Sequence, residues 1–436
     1  MSAWIAGAGG PLRGRVRVPG DKSISHRAVM LGAIADGVTH VEGFLEGEDT
    51  RATARVFASL GVRIEAPAPS VRVVHGVGLH GLSRPRDALD CGNAGTGMRL
   101  LAGLLAGQRF DSVLVGDGSL SRRPMRRVTE PLSAMGAHID TCDGLPPLRI
   151  AGGRRLRGIE HRSEVASAQV KSALLLAGLY AEGATTVVEP VPTRDYTERM
   201  LQAFGGCIVF APGTATLEPG APLRAQRVQV PADFSSAAFF IVAAAVVPGS
   251  DLLIEAVGMN PRRTGLIHAL RLMGADIETM AAGEQGGEPV ADLHVRHAPL
   301  RGVDVPAALV PDMIDEFPAL FAAAACAHGE TRVTGAAELR VKESDRIAAM
   351  AAALGANGVG VEEFEDGLAV QGSGGDPIPG GGVVATRLDH RIAMSMAVAG
   401  LHARGPVLLD DVDPVATSYP AFFPTLDGLL AQEAHA

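Results

Sequence analysis

Residues 20–37 read GDKSISHRAVMLGAIADG, and this stretch sets the pattern from which the fold follows. Polar and charged residues crowd into its first third, and the rest is almost wholly apolar up to Gly37. A helix that is apolar on nearly every face must be buried inside its domain. Glycine just past a helix is the expected C-cap, because it takes positive φ without a side-chain clash. The stretch therefore predicts a buried helix with an unusually polar first turn.

The same pattern recurs along the chain with a period of about 70 residues. Further apolar segments end at Gly107, Gly183, Gly249, Gly329 and Gly405. A second series of amphipathic segments runs through a glycine into a strand, at Gly61, Gly136, Gly205, Gly274 and Gly355, and FPTLDGLLAQ near the C-terminus resembles a degraded sixth copy. The repeat predicts six α/β units with apolar helices inside and sheets outside. A helical solenoid is the alternative for a repeat of this length, but strands punctuate every unit.

The composition is that of a globular protein with a large aliphatic core. Of 436 residues, 47% are hydrophobic, 20% are charged and 4% are aromatic, and the net charge is −9. This profile disfavours disorder. A sequence-independent nucleic-acid binder usually carries a basic excess, so that class is disfavoured as well. Small anionic ligands are still compatible with the charge, because a local basic cluster can set the field inside a cleft.

The cysteines and the apolar runs indicate the compartment. Cys91, Cys142, Cys207 and Cys326 lie far apart, which predicts reduced and mostly buried thiols of a cytosolic protein, with neither a zinc site nor a disulfide. The first residues lack a charged start followed by an apolar run, so we expect no signal peptide. The longest apolar runs reach about half a membrane span, so we expect no membrane segment.

Polar residues gather where each buried helix is predicted to begin. The segments are KSISHR, GNAGTGMR, SAQVKS, DFSSAAFF, PDMIDEFP and LDHRIAMS. A helix start leaves free N–H groups and a partial positive charge, so several such ends with added Arg and Lys would form an anion site. Plain N-capping is the alternative for each segment taken singly.

Three clusters add charge that capping does not need. They are SRRPMRR, with Arg122, Arg123, Arg126 and Arg127, RVKESDR, with Lys342, Glu343 and Arg346, and DHR, with His390 and Arg391. A solvated basic face, an i,i+3 helix pair and a structural histidine are the respective alternatives. With Asp315 and Glu343 as carboxylates, the residues favour transfer between phosphorylated or carboxylated small molecules by proton transfer and electrostatics, without a metal or other cofactor.

At these residues the chain resembles the 5-enolpyruvylshikimate-3-phosphate (EPSP) synthase family, class II in particular. The motifs are GDKSISHR, CGNAGTGMR, RRPM, SAQVKS, TRDYTER, IDEFP, RVKESDR and DHRIAM, in order from Gly20 to Ala393. The resemblance implies a two-domain inside-out α/β barrel of six βαβαββ repeats, the enolpyruvyl transferase fold. It implies one domain of three repeats from residues 1–20 plus 229–436 and a second from residues 21–228, with crossovers near Pro19 and Pro231.

The resemblance implies a reaction in which phosphoenolpyruvate and shikimate 3-phosphate give the enolpyruvyl product and phosphate, in aromatic amino acid biosynthesis. Carried over by position, the shikimate 3-phosphate ligands are Lys22, Ser23, Arg27, Ser167, Ala168 (through its backbone N–H), Gln169, Arg194, Asp315 and Lys342. Those of phosphoenolpyruvate are Lys22, Asn93, Gly95, Arg123, Gln169, Arg346, His390 and Arg391.

The catalytic roles follow from an addition followed by an elimination. Asp315 is the candidate to take or orient the proton of the 5-hydroxyl, and Glu343 is the candidate to protonate the methylene carbon; which carboxylate performs which step is a hypothesis. Lys22 would help to neutralise the departing phosphate. The resemblance also implies a monomer, while the cysteines indicate the cytoplasm. It implies a target of glyphosate, since Gly95 leaves room that an alanine, present in several tolerant class II members, would fill. Sensitivity to the inhibitor stays open, because Ala416 stands where many members have a lysine.

Two other functions remain to be weighed. The sister enolpyruvyl transferase acting on UDP-N-acetylglucosamine usually has Lys-Asn where this chain has Lys22-Ser23, and a reactive cysteine in the loop that here reads GDGSLSRRP. A non-catalytic module that binds phosphorylated ligands is the second. Retention of Asp315 and Glu343 beside arginines speaks against it, because anion binding alone would favour loss of nearby carboxylates.

Overall fold

The computed structural model describes residues 2–431, which form two compact units. Unit 1 is the described part of Met1–Pro19, Pro231–Glu284 and Glu288–Ala436. Unit 2 is Gly20–Val230 with the short segment Gln285–Gly287. The sequence prediction kept residues 229–436 in one domain and did not anticipate that Gln285–Gly287 would group with unit 2.

Unit 1 begins with strands β1 (Trp4–Ala6) and β2 (Arg13–Val16). Unit 2 then contains α1 (Lys22–Ile34), β3 (Asp36–Glu42), α2 (Glu48–Ser59), β4 (Arg63–Glu65), β5 (Val71–Val77), β6 (Leu89–Asp90), α3 (Gly95–Ala106), β7 (Ser112–Val115), α4 (Arg126–Ala134), β8 (His138–Cys142), β9 (Leu145–Ala151), β10 (Glu160–Arg162), α5 (Ala168–Gly178), β11 (Thr185–Val188), α6 (Tyr196–Ala203), β12 (Cys207–Ala211), β13 (Thr214–Glu218) and β14 (Arg227–Gln229).

The chain returns to unit 1 with α7 (Phe234–Val246), β15 (Asp251–Gly258), α8 (Gly265–Leu272), β16 (Asp276–Gln285), β17 (Glu288–Arg296), α9 (Phe317–Ala325), β18 (Glu330–Val333), α10 (Arg346–Ala356), β19 (Gly360–Phe364), β20 (Gly367–Gln371), β21 (Val383–Val384), α11 (His390–Gly400), β22 (Val407–Leu409) and α12 (Phe422–Ala431). Short 3-10 helices lie at Leu120–Arg122, Ala307–Leu309, Pro311–Met313, Ala337–Val341 and Asp413–Thr417.

The sheets of unit 2 share one plan. Their strand orders are β14-β3-β5-β4, β6-β7-β9-β8 and β10-β11-β13-β12. In each, the first pair is parallel and the remaining pairs are antiparallel. A parallel pair needs a crossover, and α3 and α5 supply it for β6–β7 and β10–β11. Each repeat is therefore a βαβαββ unit.

The opening strands of two repeats come from distant parts of the chain. In unit 1, β2 pairs in parallel with β15, so that Gly14 lies opposite Leu252. In unit 2, β14 pairs in parallel with β3, so that Val228 lies opposite Val41. Each crossover strand stays in the unit it closes, while the helix that follows it belongs to the other unit. The strand before the first crossover, β2, therefore completes a sheet of unit 1, and the strand before the second, β14, completes a sheet of unit 2.

The apolar helices form the interior of each unit, as the repeat predicts. In unit 2, α1, α3 and α5 are buried along nearly their whole length. In unit 1, every residue of α7 and α9 is buried, and α11 is buried from end to end. The α3 and α5 backbones approach closely at Gly103, where an added Cβ would lie 2.0 Å from the carbonyl oxygen of Ala173. Burial of apolar surface on all sides of these helices supplies the main stabilisation of each unit.

Some details differ from the sequence predictions. Gly355 does not end its helix, because α10 continues to Ala356 and Gly358 is the residue with positive φ, at 78°. The thiols are not mostly buried: Cys91 and Cys326 are buried, but Cys142 and Cys207 are exposed at strand positions. Within residues 2–431, the helices are too short or too polar to cross a bilayer.

Candidate functional site

Four of the described helices that begin at predicted site segments are capped by their own side chains. Asp21 accepts a hydrogen bond from the N–H of Ile24, Ser167 from Val170, Asp233 from Ser235 and Ser236, and Asp389 from Arg391. N-capping therefore accounts for these four residues. It does not account for the basic residues that follow them.

Lys22 is the first residue of α1 in unit 2 and contacts a carboxylate of the next helix. Its Nζ lies 3.1 Å from Oδ2 of Asp49 on α2, and the two side chains are 16% and 9% exposed. The ammonium group is thus anchored but still reaches solvent. An anion that arrives here would meet a positive charge that is already oriented.

Arg27 lies one turn further along α1 and is held on three sides. It donates from Nε to Oγ1 of Thr197 at 2.7 Å, from Nη2 to Oγ of Ser172 at 2.9 Å and from Nη1 to the carbonyl of Ser23 at 2.9 Å. Burial and then the positive charge of Arg194 lower the pKa of Arg27 to about 10. Two guanidinium groups that repel each other are suited to a shared anion.

Asn93, Arg123 and Asp117 form a polar chain beside the start of α3. Arg123 donates to Oδ1 of Asn93, and the amide of Asn93 donates to Oδ2 of Asp117 at 2.7 Å. Arg123 is buried, whereas Arg122 and Arg126 are exposed. The solvated-face interpretation of SRRPMRR therefore holds for the flanking arginines, and Arg123 is the one directed inward.

Gly95, the first residue of α3, lies directly against Arg123. An added Cβ at this position would be 2.8 Å from Nη1 of Arg123 and 3.4 Å from Nη1 of Arg99. Because Arg123 is also bonded to Asn93, it could move aside only by breaking that contact. A glycine at residue 95 thus keeps the guanidinium groups of two arginines in place.

Gln169, in the first turn of α5, has its amide oriented by two residues of α3. Arg99 donates from Nη1 to Oε1 of Gln169 at 2.7 Å, and Nε2 of Gln169 donates to Oγ1 of Thr96 at 2.9 Å. Ala168 precedes Gln169 as the first helical residue, after the N-cap Ser167. Arg99 was not among the predicted site residues, although it is the last residue of the motif CGNAGTGMR.

A buried ion triad lies behind the first turns of α5 and α6. Nζ of Lys171 is 2.8 Å from Oε2 of Glu189 and 2.8 Å from Oε1 of Glu198. Burial lowers the pKa of Lys171, but the two glutamates outweigh this and raise it. Glu189 also accepts from the N–H and the hydroxyl of Thr193, so the triad fixes the residue that precedes Arg194.

In unit 1, Asp315 is surrounded by cationic groups. Its carboxylate oxygens lie 3.3 Å from Nη1 of Arg263, 3.6 Å from Nζ of Lys342 and 3.6 Å from Nη1 of Arg346. The Asp315 side chain is 14% exposed. The structure thus brings three of the predicted site residues together: Asp315, Lys342 and Arg346.

Arg346, the first residue of α10, connects three carboxylates. Nη2 donates to Oε2 of Glu343, Nε donates to Oδ2 of Asp389 at 2.9 Å, and Nη1 lies near Asp315. Burial lowers the pKa of Arg346, but Asp389, Glu343 and Asp315 outweigh this and raise it. The Glu343–Arg346 contact is therefore part of a buried network and more than an i,i+3 surface pair.

Arg391 and Glu316 complete the described cluster of unit 1. Nη1 of Arg391 donates to the backbone oxygen of Asp315 at 2.7 Å and lies 3.6 Å from Oε1 of Glu316. His390, the first residue of α11, is buried. Glu316 was missed from the sequence because it looked like a helix-start residue of IDEFP, and only its contacts reveal its role.

Within each unit the arrangement has a distinct chemical character. Unit 2 presents three cations held by neighbouring side chains, namely Lys22, Arg27 and Arg123, and the amide groups of Asn93 and Gln169 are held as well. Arg194 adds positive charge near Arg27. Unit 1 places two partly exposed carboxylates, Asp315 and Glu343, on different nitrogens of one guanidinium. Oriented cations suit phosphate and carboxylate binding, and positioned carboxylates suit proton transfer.

Comparison with known proteins agrees with this chemistry. The family model described as EPSP synthase (3-phosphoshikimate 1-carboxyvinyltransferase) matches residues 7–426. The 3-phosphoshikimate 1-carboxyvinyltransferase of Xanthomonas axonopodis pv. citri (strain 306) is 66% identical over 420 residues, which cover 96% of this chain and 94% of that protein.

Solved structures show the same fold. An EPSP synthase from Acinetobacter baumannii superposes with a TM-score of 0.86 at 51% identity, over 99% of this chain and 98% of that one. The enolpyruvyl transferase NikO from Streptomyces tendae has a TM-score of 0.76 at 20% identity, over 98% and 96% of the two chains, which indicates the fold alone. The architecture is thus the α/β enolpyruvyl transferase fold, and the chain belongs to the EPSP synthase family.

Proposed function

We propose that this protein transfers the enolpyruvyl group of phosphoenolpyruvate to the 5-hydroxyl of shikimate 3-phosphate and releases inorganic phosphate. Family membership supports this reaction, and the curated relative at 66% identity carries the corresponding name. The observation that carries the proposal furthest is the pair of carboxylates on one arginine: Asp315 lies 3.6 Å from Nη1 of Arg346, and Glu343 accepts from Nη2. An acid and a base held in this way suit an addition followed by an elimination.

The proposed shikimate 3-phosphate ligands of unit 2 are Lys22, Ser23, Arg27, Ser167, Ala168, Gln169 and Arg194, and those of unit 1 are Asp315 and Lys342. The bonds that orient Arg27 and Gln169 support their assignment, because each side chain is already held in one position by its neighbours. Preorganised donors bind an anion without the entropy cost of ordering them.

For phosphoenolpyruvate, the proposed ligands of unit 2 are Lys22, Asn93, Gly95, Arg123 and Gln169, and those of unit 1 are Arg346, His390 and Arg391. Arginine binds phosphate and carboxylate groups through two parallel N–H donors, which suits a substrate that carries both. The close contact of Gly95 with Arg123 supports its place in this set, because an added Cβ would lie 2.8 Å from Nη1 of Arg123 and would press on that proposed ligand.

In the proposed addition, the 5-hydroxyl oxygen attacks C2 of phosphoenolpyruvate. Asp315 takes the hydroxyl proton, and Glu343 gives a proton to C3, which becomes a methyl group. In the elimination, C3 returns a proton to Glu343, the double bond forms again, and the C2–O bond to phosphate breaks. Lys22 stabilises the leaving phosphate, and the proton taken by Asp315 leaves with the product phosphate or with solvent.

The first test mixes purified protein with phosphoenolpyruvate and shikimate 3-phosphate and follows phosphate release. UDP-N-acetylglucosamine serves as a parallel acceptor. We expect phosphate release from phosphoenolpyruvate when shikimate 3-phosphate is the acceptor and none when UDP-N-acetylglucosamine is the acceptor. Release with UDP-N-acetylglucosamine would reassign the acceptor, and a raised melting temperature with neither release would indicate a binding module.

The second test separates the two carboxylates. Reactions run in D₂O report deuterium at C3 of recovered phosphoenolpyruvate, and we expect Glu343→Gln to lose this exchange by at least tenfold. Asp312→Asn is the matched control, because Asp312 lies in the same segment as Asp315 but contacts Arg262, at 3.4 Å. Full exchange by Glu343→Gln would exclude Glu343 as the acid.

We further propose that the protein is a monomer, as the family resemblance implies, and that it is cytoplasmic. The exposed free thiols of Cys142 and Cys207 support a reducing compartment, because exposed thiols tend to form disulfides in an oxidising one. Sedimentation equilibrium of the purified chain tests the oligomeric state.

A further inference from the structure

We propose that Arg263 is a positioning residue for the reaction, which orients the carboxylate of Asp315 while Glu316 anchors Arg263 from the opposite side. The proposal rests on the proposed function, since it gives Asp315 the role of base. Arg263 lies in the segment MNPRRTG (residues 259–265), which the family resemblance does not assign to either substrate.

The guanidinium of Arg263 divides its contacts between two ends. Nη1 donates to Oδ2 of Asp315 at 3.3 Å. Nη2 donates to the hydroxyl of Ser235 and lies 3.5 Å from Oε1 of Glu316 and 3.7 Å from Oδ1 of Asp233. A planar guanidinium fixed by partners at one end has little freedom to rotate at the other. The orientation of Nη1, and with it the position of Asp315, follows from the contacts of Nη2.

Glu316 is the residue on which this arrangement depends. Its side chain is 1% exposed and lies against Arg263, Arg391 and the hydroxyl of Ser235. An ionised carboxylate at that depth is tolerated only with charged partners. The two consecutive acidic residues therefore differ in environment. Asp315 is partly exposed among cations, whereas Glu316 is buried and contacts two arginines.

The burial of Arg263 separates it from its neighbour in the sequence. The Arg263 side chain is 5% exposed, whereas that of Arg262 is 35% exposed and contacts Asp312 at 3.4 Å. Both are arginines of the same turn, and each pairs with an aspartate of residues 311–316. This supplies a matched control, because loss of Arg262 removes one arginine–aspartate contact without touching Asp315.

Other charges also face Asp315 and must be held constant in the test. Lys342 and Arg346 approach its carboxylate, and Arg391 contacts its backbone oxygen. Lys342, Arg346 and Arg391 have other anionic partners, namely Glu338, Glu343, Asp389 and Glu316, and Asp233 lies beside Arg263 itself. Removal of Arg263 therefore takes away one of the cations beside Asp315 and leaves the others in place.

The test compares the pH dependence of kcat/KM for Arg263→Gln, Arg262→Gln and the unchanged protein. Loss of a cation beside a carboxylate makes that group ionise at higher pH, so Arg263→Gln should move the acid limb up by about one pH unit. The misplaced base should also lower kcat by about 10- to 100-fold while KM for phosphoenolpyruvate changes less. Arg262→Gln should leave the acid limb unmoved.

Two further variants keep the test decisive if Arg263→Gln does not fold. Arg263→Lys retains the charge but cannot bridge both ends, so it should keep the acid limb near its original pH and still lose kcat. Glu316→Gln keeps the shape of the side chain and removes its charge. Arg263 would then lose an anchor at Nη2 and hold Asp315 less firmly, so Glu316→Gln should lower kcat, as Arg263→Lys does.

Each outcome has a distinct meaning. A lower kcat in Arg263→Gln, Arg263→Lys and Glu316→Gln, with the acid limb moved up in Arg263→Gln and unmoved in Arg262→Gln, would support the proposal. An acid limb that is the same in Arg263→Gln and Arg262→Gln, or an unchanged kcat in Glu316→Gln, would overturn it. Absence of phosphate release by the unchanged protein would instead mean that the proposed function fails.

Discussion

Arg346 Nε donates to Oδ2 of Asp389 at 2.9 Å, and the same carboxylate caps α11 by accepting from the N–H of Arg391 at 3.0 Å. The side chains of Arg346 and Asp389 are 1% and 0% exposed. One aspartate thus neutralises a buried arginine of α10 and fixes the first turn of α11, so two proposed phosphoenolpyruvate ligands share a single support.

Asp389→Asn separates these two tasks, because asparagine also caps helices. We expect the cap to survive and the charge of Arg346 to be left less well compensated, which should lower the free energy of unfolding by about 3 kcal/mol. Urea denaturation measures the loss. Asp345→Asn is the matched control: Asp345 caps α10 and pairs with the partly exposed Arg340, so its loss should be below about 1 kcal/mol. Equal losses in both variants would contradict the role of the buried charge.

Lys171→Met tests the buried triad of unit 2. Two carboxylates, Glu189 and Glu198, would lose their shared cation. We expect the free energy of unfolding to fall by about 3 to 5 kcal/mol at neutral pH. Burial already raises the pKa of Glu198, and without Lys171 it would rise further. A raised folded-state pKa favours the folded state at low pH and disfavours it as the pH rises through that value.

The loss of unfolding free energy in Lys171→Met should therefore be smaller at pH 5 than at pH 8, as measured by thermal or urea unfolding. Glu198→Gln keeps the Lys171–Glu189 pair, so its free energy of unfolding at pH 8 should fall less than that of Lys171→Met. A deficit independent of pH would show that the loss comes from packing and not from uncompensated charge.

His26→Asn tests a pH dependence built into α1. Burial, followed by the charges of Lys22 and Arg27, lowers the pKa of His26 to about 3, and its Nδ1 lies 2.8 Å from Oγ1 of Thr53. The unfolded chain takes up a proton near pH 6.5 that the folded state refuses, so stability should fall with decreasing pH from about 6.5 toward 3. This one group contributes a slope of about 1.4 kcal/mol per pH unit.

We expect His26→Asn to remove that part of the slope, measured as urea stability at pH 7 and pH 5. His138→Asn is the control, because His138 lies on the surface with a side chain that is 60% exposed. If both variants had the same slope as the unchanged protein, His26 would not be the source.

Gly95→Ala tests the space beside Arg123. The added methyl group would lie 2.8 Å from Nη1 of Arg123, which its bond to Asn93 keeps from moving away easily. We expect KM for phosphoenolpyruvate to rise about tenfold or more and glyphosate to bind more weakly, as initial-rate kinetics would measure. KM for shikimate 3-phosphate should change less.

Gly355→Ala is the corresponding control in a helix interior. Gly355 is exposed in α10, and an added Cβ would meet no described atom within 4 Å. This change should leave the kinetics unaltered and stabilise the protein by about 1 kcal/mol. An unchanged KM in Gly95→Ala would contradict the crowding argument.

The sequence by itself determined the repeat, the buried helices and the family. Apolar runs such as LLAGLLAG and FFIVAAAVV can be buried only inside a domain, and their regular spacing predicts the units in which they lie. Motifs also predicted which residues of the first turns carry charge. These features are local, since burial and capping depend on residues within one or two turns.

Only the tertiary structure decided which charges meet. Lys22 and Asp49 are 27 residues apart, Arg346 and Asp389 are 43 apart, and Arg263 and Asp315 are 52 apart. Before the elements pack, Glu316 is indistinguishable from a helix-start residue and Lys171 from one more polar residue in an apolar helix. Such pairs form because burial of an ion is tolerated only beside its counter-ion, and the packing of distant elements selects which counter-ion that is.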